Sequence, residues 1–170
     1  MDRLGTFEDA KDKVLAEIKR CLATVRSLAT QPFNSPNEGV GILDRLRKET
    51  YEDLNQIQHE HLIVRAAEWL ISASICPRTT QWYWNPRQTG DHQEPDLRGI
   101  HNKEIVVSAE ITTSDSPKGV IDTRMRHTLE KLAHMEGGKY YFVRTDSMRT
   151  RANTKILKRR LAIQVVKIDV

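Results

Sequence analysis

Residues 94–112 read Glu-Pro-Asp-Leu-Arg-Gly-Ile-His-Asn-Lys-Glu-Ile-Val-Val-Ser-Ala-Glu-Ile-Thr. Pro95, Asp96 and Gly99 stand at or near a turn, because proline fixes φ and glycine permits positive φ. His101-Asn102-Lys103 is a short polar connection. Ile105-Val106-Val107 is β-branched and bounded by turn signals, which predicts a buried strand running on through Glu110 to Ile111. The stretch therefore predicts a hairpin that puts two carboxylates, Asp96 and Glu110, on neighbouring strands.

Asp96 falls in a polar turn, but Glu110 falls inside an apolar strand. An ionised carboxylate there is costly without a cationic partner. A divalent metal shared with Asp96 would supply one.

Elements of both periods surround this hairpin. Thr6 predicts an N-cap, with Glu8 and Asp9 in the first turn of a helix that carries Val14, Leu15, Ile18, Leu22, Val25 and Ala29 at helical spacing. That helix should end near Gln31-Pro32. Residues 31–41 are rich in Pro, Asn and Gly and predict a loop. A helical pattern resumes at about Ile42 and runs to about Ser74, with room for a break. Leu62, Ile63, Ala66, Ala67, Leu70 and Ile71 form its apolar stripe, and Glu60 shares the core-facing side. His59 and His61, two residues apart, do not share a helix face and make a poor metal pair.

Trp82-Tyr83-Trp84 predicts a strand whose aromatics serve core packing more readily than base stacking. Residues 85–95 predict a polar loop able to reach a nucleic acid. After the hairpin come a turn-rich connector over 113–119 and a helix carrying Ile121, Met125, Leu129 and Leu132. The other face of that helix shows Arg124, His127, Lys131 and His134, and Gly137-Gly138 closes it. A strand over 139–144 follows. Next comes a helix capped by Ser147, with Met148, Ala152 and Ile156 on one face. Ile163–Ile168 is a last strand.

Pro95-Asp96, with Glu110-Ile111-Thr112 on the next strand, resembles the signature of the PD-(D/E)XK nuclease superfamily. From Ile42 the order helix, three strands, helix, strand, helix, strand is similar to that family's core. The resemblance covers about residues 55–170. It implies an α/β (α+β) fold with a restriction-endonuclease-like core: a central mixed β-sheet flanked by helices, with an extra N-terminal helix. A single domain over 1–170 would divide into an N-terminal helical extension (1–54) and a nuclease-like core (55–170).

In function, the resemblance implies a Mg²⁺-dependent DNA endonuclease, most like a small type II restriction enzyme. Asp96, Glu110 and the Ile111 carbonyl would hold the metal. Glu60, matched to a helix glutamate that approaches the metal in the family, joins the catalytic set; its alternative is a solvated helix carboxylate, and Glu68 lies on a different face. Thr112 occupies the motif's lysine position. It could orient a water but carries no charge, so Lys118 on the connector is the candidate substitute. Arg124, Arg126, Arg149, Arg151 and Lys155 are candidate DNA contacts. Cutting both strands of a duplex implies a homodimer. A non-catalytic DNA-binding or assembly subunit with the same fold is the alternative.

Composition agrees with a folded, nucleic-acid-tolerant chain. The 170 residues are 38% hydrophobic and 29% charged, which excludes a disordered chain. Net charge is +4, but residues 1–60 carry −2 and residues 61–170 carry +6, so the basic surface accompanies the carboxylate pair. Cys21 and Cys76 lack metal-ligand spacing and predict buried thiols in a reducing cytoplasm. No apolar run approaches membrane-spanning length.

Overall fold

The computed structural model describes residues 1–85 and 94–169. The chain is mixed α/β, with four helices and a six-stranded mixed sheet. In chain order the elements are β1 (Asp2–Gly5), α1 (Phe7–Ala29), α2 (Pro36–Ser72), β2 (Gln81–Trp84), β3 (Leu97–His101), β4 (Glu104–Ile111), α3 (Val120–Ala133), β5 (Gly138–Val143), α4 (Asp146–Arg159) and β6 (Gln164–Lys167). The strands lie side by side in that order. β1 to β4 pair antiparallel, while β4–β5 and β5–β6 pair parallel through the crossovers α3 and α4.

Local chemistry sets most of the boundaries. Thr6 and Asp9 form a reciprocal capping box: Thr6 Oγ1 accepts from the Asp9 amide at 3.3 Å, and Asp9 Oδ2 accepts from the Thr6 amide at 2.7 Å. The β3–β4 hairpin turns at Asn102 and Lys103, both at positive φ (50° and 69°), with His101 paired to Glu104. That is a two-residue turn whose twist suits the strands.

Four boundaries differ from the sequence expectation. α2 begins at Pro36 and runs unbroken, because Ser35 accepts from the Glu38 amide and Pro36 sits in the first turn, where its missing N–H costs nothing. α4 is capped by Thr145, whose Oγ1 accepts from the Met148 amide at 3.3 Å; Ser147 Oγ instead donates to the Asp115 carbonyl. Gly137-Gly138 leads into β5 and does not close α3, which ends at Ala133. A Cβ on Gly137 (φ +74°) would sit 2.8 Å from the backbone of Ile105–Val107. Finally, β1, four residues with no alternation to mark it, pairs with β2. The predicted loop over 85–95 lies largely outside the described residues.

The sheet is covered on both faces. On one, Leu62, Ile63, Ala66 and Leu70 of α2 and Val14 of α1 pack against Trp82, Trp84, Leu97, Val107, Ala109, Ile111 and Phe142. On the other, Met125, Leu129 and Leu132 of α3 and Met148, Ala152 and Ile156 of α4 pack against Tyr141 and Val143. Trp82 and Trp84 are thus core residues, 0% and 2% exposed. At roughly 1.5–3 kcal/mol for each large apolar side chain removed from water, these two layers supply the main drive to fold. Cys21 and Cys76 are free and buried. Among the described residues, no helix is long and apolar enough to cross a membrane.

Strand alternation decides where the carboxylates point. On β4, Val107, Ala109 and Ile111 go to the α2 face, so Ser108 and Glu110 go to the α3 face.

Candidate functional site

Asp96 immediately precedes β3, whose Leu97 pairs with Ala109 of β4, so the chain brings Asp96 alongside Glu110 and Ile111. The Ile111 amide donates to Asp96 Oδ2 at 2.8 Å in a buried hydrogen bond, and His59 Nε2 lies 3.5 Å from the same oxygen. Asp96 and Glu110 are 3% and 4% exposed. Both line a cleft of about 710 Å³, together with Ile111, Thr112, Arg124 and Lys131.

Glu110 is in an unusual electrostatic position. Burial, then the neighbouring Asp96 charge, push its carboxyl up to about 8, against the pull of Lys131 and His59. Lys131 Nζ stands 2.5 Å from Glu110 Oε1 in a close ion contact. The same ammonium donates to the Glu94 carbonyl at 3.2 Å. Lys131 therefore ties α3 both to β4 and to the segment leading into Asp96.

Thr112 lines the cleft, where its hydroxyl accepts from the Ser114 amide at 3.2 Å and shares a hydrogen bond with Tyr141. Tyr141 pairs with Glu110 in the sheet and also faces the cleft. Burial holds its phenol well above the ordinary tyrosine value.

Two of the expected catalytic residues lie elsewhere. Lys118 is exposed on the connector and does not line the cleft. Glu60 is buried as expected but faces α1. Lys13 Nζ donates to both its oxygens, at 3.1 and 3.2 Å, and Gln56 donates to Oε1 at 3.1 Å. A helix turns by about 100° per residue, so α2 presents His59 to the cleft and Glu60 to α1.

The basic candidates divide in the same way. Arg124 lines the cleft with His127, Thr128 and Lys131, at helical spacings of three, four and seven. Arg126 contacts His127 at 3.2 Å but is not part of the lining. Arg151 and Lys155 are engaged by Asp122 of α3, at 2.7 and 3.0 Å, and Lys155 is 8% exposed. Arg149 pairs with Asp146 on its own helix. The basic face of α4 is thus a staple to α3, not part of the cleft.

Lys131 is the functional candidate that motif reading missed. The signal was present: it shares a helix face with Arg124, and β4 alternation turns Glu110 towards α3. Pairing across that layer is set by packing and has no local sequence mark.

A metal fit follows from the donors. Among the described residues there is no group of three or more His, Cys, Asp or Glu spaced to hold a metal ion. Mg²⁺ keeps several waters and uses one or two carboxylates plus substrate phosphate oxygens. Two adjacent buried carboxylates suit it. Comparison with family models, curated proteins and solved structures gives no match.

Proposed function

We propose that the cleft is the active site of a Mg²⁺-dependent DNA endonuclease with a restriction-endonuclease-like core. The observation that carries this reading is the buried Asp96–Glu110 pair at the end of a mixed sheet, with an amine supplied from a neighbouring helix. Two carboxylates this close raise the cost of ionising both, and a divalent cation removes that cost. When bound, Mg²⁺ would polarise the scissile phosphate and lower the pKa of an attacking water.

The protein's own groups then divide the work. Asp96, oriented by the Ile111 amide, and Glu110 place two carboxyl groups at the floor of the cleft, and a bound cation would favour the ionised form of both. Lys131, whose ammonium reaches Glu110 from α3, would offset charge on the phosphate in place of the motif lysine that Thr112 lacks. With a cation held by the carboxylates, the Lys131 ammonium would be available to a substrate phosphate. Arg124 and His127 on the wall of α3 meet the flanking phosphates.

The alternative, a non-catalytic DNA-binding subunit, draws on Thr112 in the lysine position. The presence of Lys131 in the cleft weighs against it. Incubating supercoiled plasmid with the purified protein separates the two. Nicking or linearisation with Mg²⁺, abolished by a chelator, supports the nuclease. Retention of DNA without any cleavage in Mg²⁺ or Mn²⁺ supports the binding subunit.

A further inference from the structure

Strand alternation sorts the β1–β3 end of the sheet as it sorts β4. Leu4, Trp82, Trp84 and Leu97 belong to the core under α1 and α2, so Arg3, Tyr83 and Arg98 point to the opposite face. The register joins them: Arg3 pairs with Tyr83, Tyr83 with Arg98, and Arg98 with Ser108. Ser108 precedes Glu110 by two residues on that face, about 7 Å along β4. The row therefore starts beside the carboxylates and runs outward, across the strands, to the sheet edge at β1.

Helices do not close this end. α3 packs on β4 and β5 and α4 on β6; among the described residues neither packs closely on β2 or β3. Ser108 is sealed, its hydroxyl donating to the Glu136 carbonyl at 2.9 Å. Beyond it Arg98 and Tyr83 are half-buried and Arg3 is exposed.

The charges on this row are unmet. Among the described residues, neither Arg3 nor Arg98 enters an ion pair, and Arg98 Nε is buried with no hydrogen-bond partner. Arg149, Arg151 and Lys155 of α4, by contrast, are all paired. A buried N–H without an acceptor costs stability. Two guanidinium groups on one face, two strand spacings or about 10 Å apart, add repulsion. An anion lying along the row relieves both.

We propose that Arg98, Tyr83 and Arg3 hold phosphates of duplex DNA on the β1 side of the carboxylates, away from the α3 wall of Arg124 and His127. The choice of partner rests on the nuclease reading. Arginine offers a fixed fork of donors that matches a phosphate, and a phenol between two arginines can donate to another phosphate oxygen. Tyr83 and Arg98 also fall in residues 61–170, which carry the net +6. From β4 to β1 is three strand spacings, about 14 Å, the rise of about four base pairs. The duplex therefore continues over the open sheet for about that length beyond the cleft.

Fluorescence anisotropy with a labelled duplex, in Ca²⁺ at several salt concentrations, tests it. Arg3→Ala with Arg98→Gln should reduce the slope of log affinity against log salt by about two units, one for each contact. Arg47→Ala with Lys48→Ala, two exposed cations of α2, removes the same charge and should leave the slope unchanged. If circular dichroism shows that the Arg98 variant does not fold, Arg3→Ala alone, on an exposed position, should reduce the slope by about one unit. An unchanged slope, an equal fall in the α2 control, or a wild type without affinity for the duplex overturns the proposal. Cleavage in Mg²⁺ is read separately: a wild type that cuts but keeps its slope in the variants sinks the row alone. A wild type that loses slope as expected yet never cuts keeps the row and sinks the nuclease reading.

Discussion

Lys131 Nζ lies 2.5 Å from Glu110 Oε1, so an ammonium reaches the carboxylate pair from helix α3 and not from strand β4. Strand alternation explains it: Glu110 points away from the α2 face, and α3 is what covers the other side. On the proposed nuclease reading, Lys131 would supply the charged amine that Thr112, a hydroxyl at the motif's lysine position, does not.

If Lys131 offsets charge in the transition state, Lys131→Ala should lower the single-turnover cleavage rate by about 10²-fold or more. Lys118→Ala, on the exposed connector, should leave it unchanged. Quench-flow cleavage of a defined duplex checks both. A large loss in Lys118→Ala with none in Lys131→Ala would return the role to the connector.

Arg124 lines the cleft, whereas Arg149 and Arg151 are held by Asp146 and Asp122. Arg124→Ala should therefore reduce the slope of log affinity against log salt by about one unit. The double variant Arg149→Ala, Arg151→Ala should leave the slope alone. Fluorescence anisotropy at several salt concentrations gives both values.

Asp122 accepts from Arg151 and Lys155, and these bonds hold its carboxyl well below the usual aspartate range. A depressed folded-state pKa gives stability that is present above the unfolded value and lost as pH falls. Acid unfolding of the wild type should therefore steepen below about pH 4. Asp122→Asn should flatten that limb and lower the melting temperature at neutral pH. Thermal melts from pH 2 to 7 measure it; an unchanged acid limb would show that the α3–α4 staple contributes nothing.

A Cβ on Gly99 would sit 2.7 Å from Val107 Cγ1 and 2.9 Å from Trp82 Cζ3, and both neighbours are 0% exposed. Gly99→Ala should therefore cost about 1–3 kcal/mol by overpacking. Denaturant unfolding compares it with Gly41→Ala, where a Cβ meets nothing and the change should be neutral or stabilising.

The legible parts of this fold were those with a local cause. The order of elements from α2 to β6, the hairpin around Asn102–Lys103 and the capping box at Thr6 and Asp9 all follow from periodicity and turn chemistry. The hairpin brings Asp96 towards Glu110, but a register shift between Gly99 and Ile100, which no local signal marks, intervenes before Leu97 pairs with Ala109. What escaped depends on long-range packing. β1 is too short to show alternation and exists because β2 offers an edge. The pairing of Arg151 and Lys155 with Asp122 turns an apparent basic face into a structural contact, and charge counting along one helix cannot see the partner on another. Glu60 and His59 exchanged sides because one residue on a helix is about 100°.

The central claim is that the Asp96–Glu110 pair supports metal-dependent phosphodiester cleavage. It is tested most directly by single-turnover cleavage of duplex DNA in Mg²⁺ by wild type, Asp96→Asn and Glu110→Gln. The account predicts cleavage by wild type alone, with DNA affinity retained in both variants. Cleavage by both variants at the wild-type rate would contradict it.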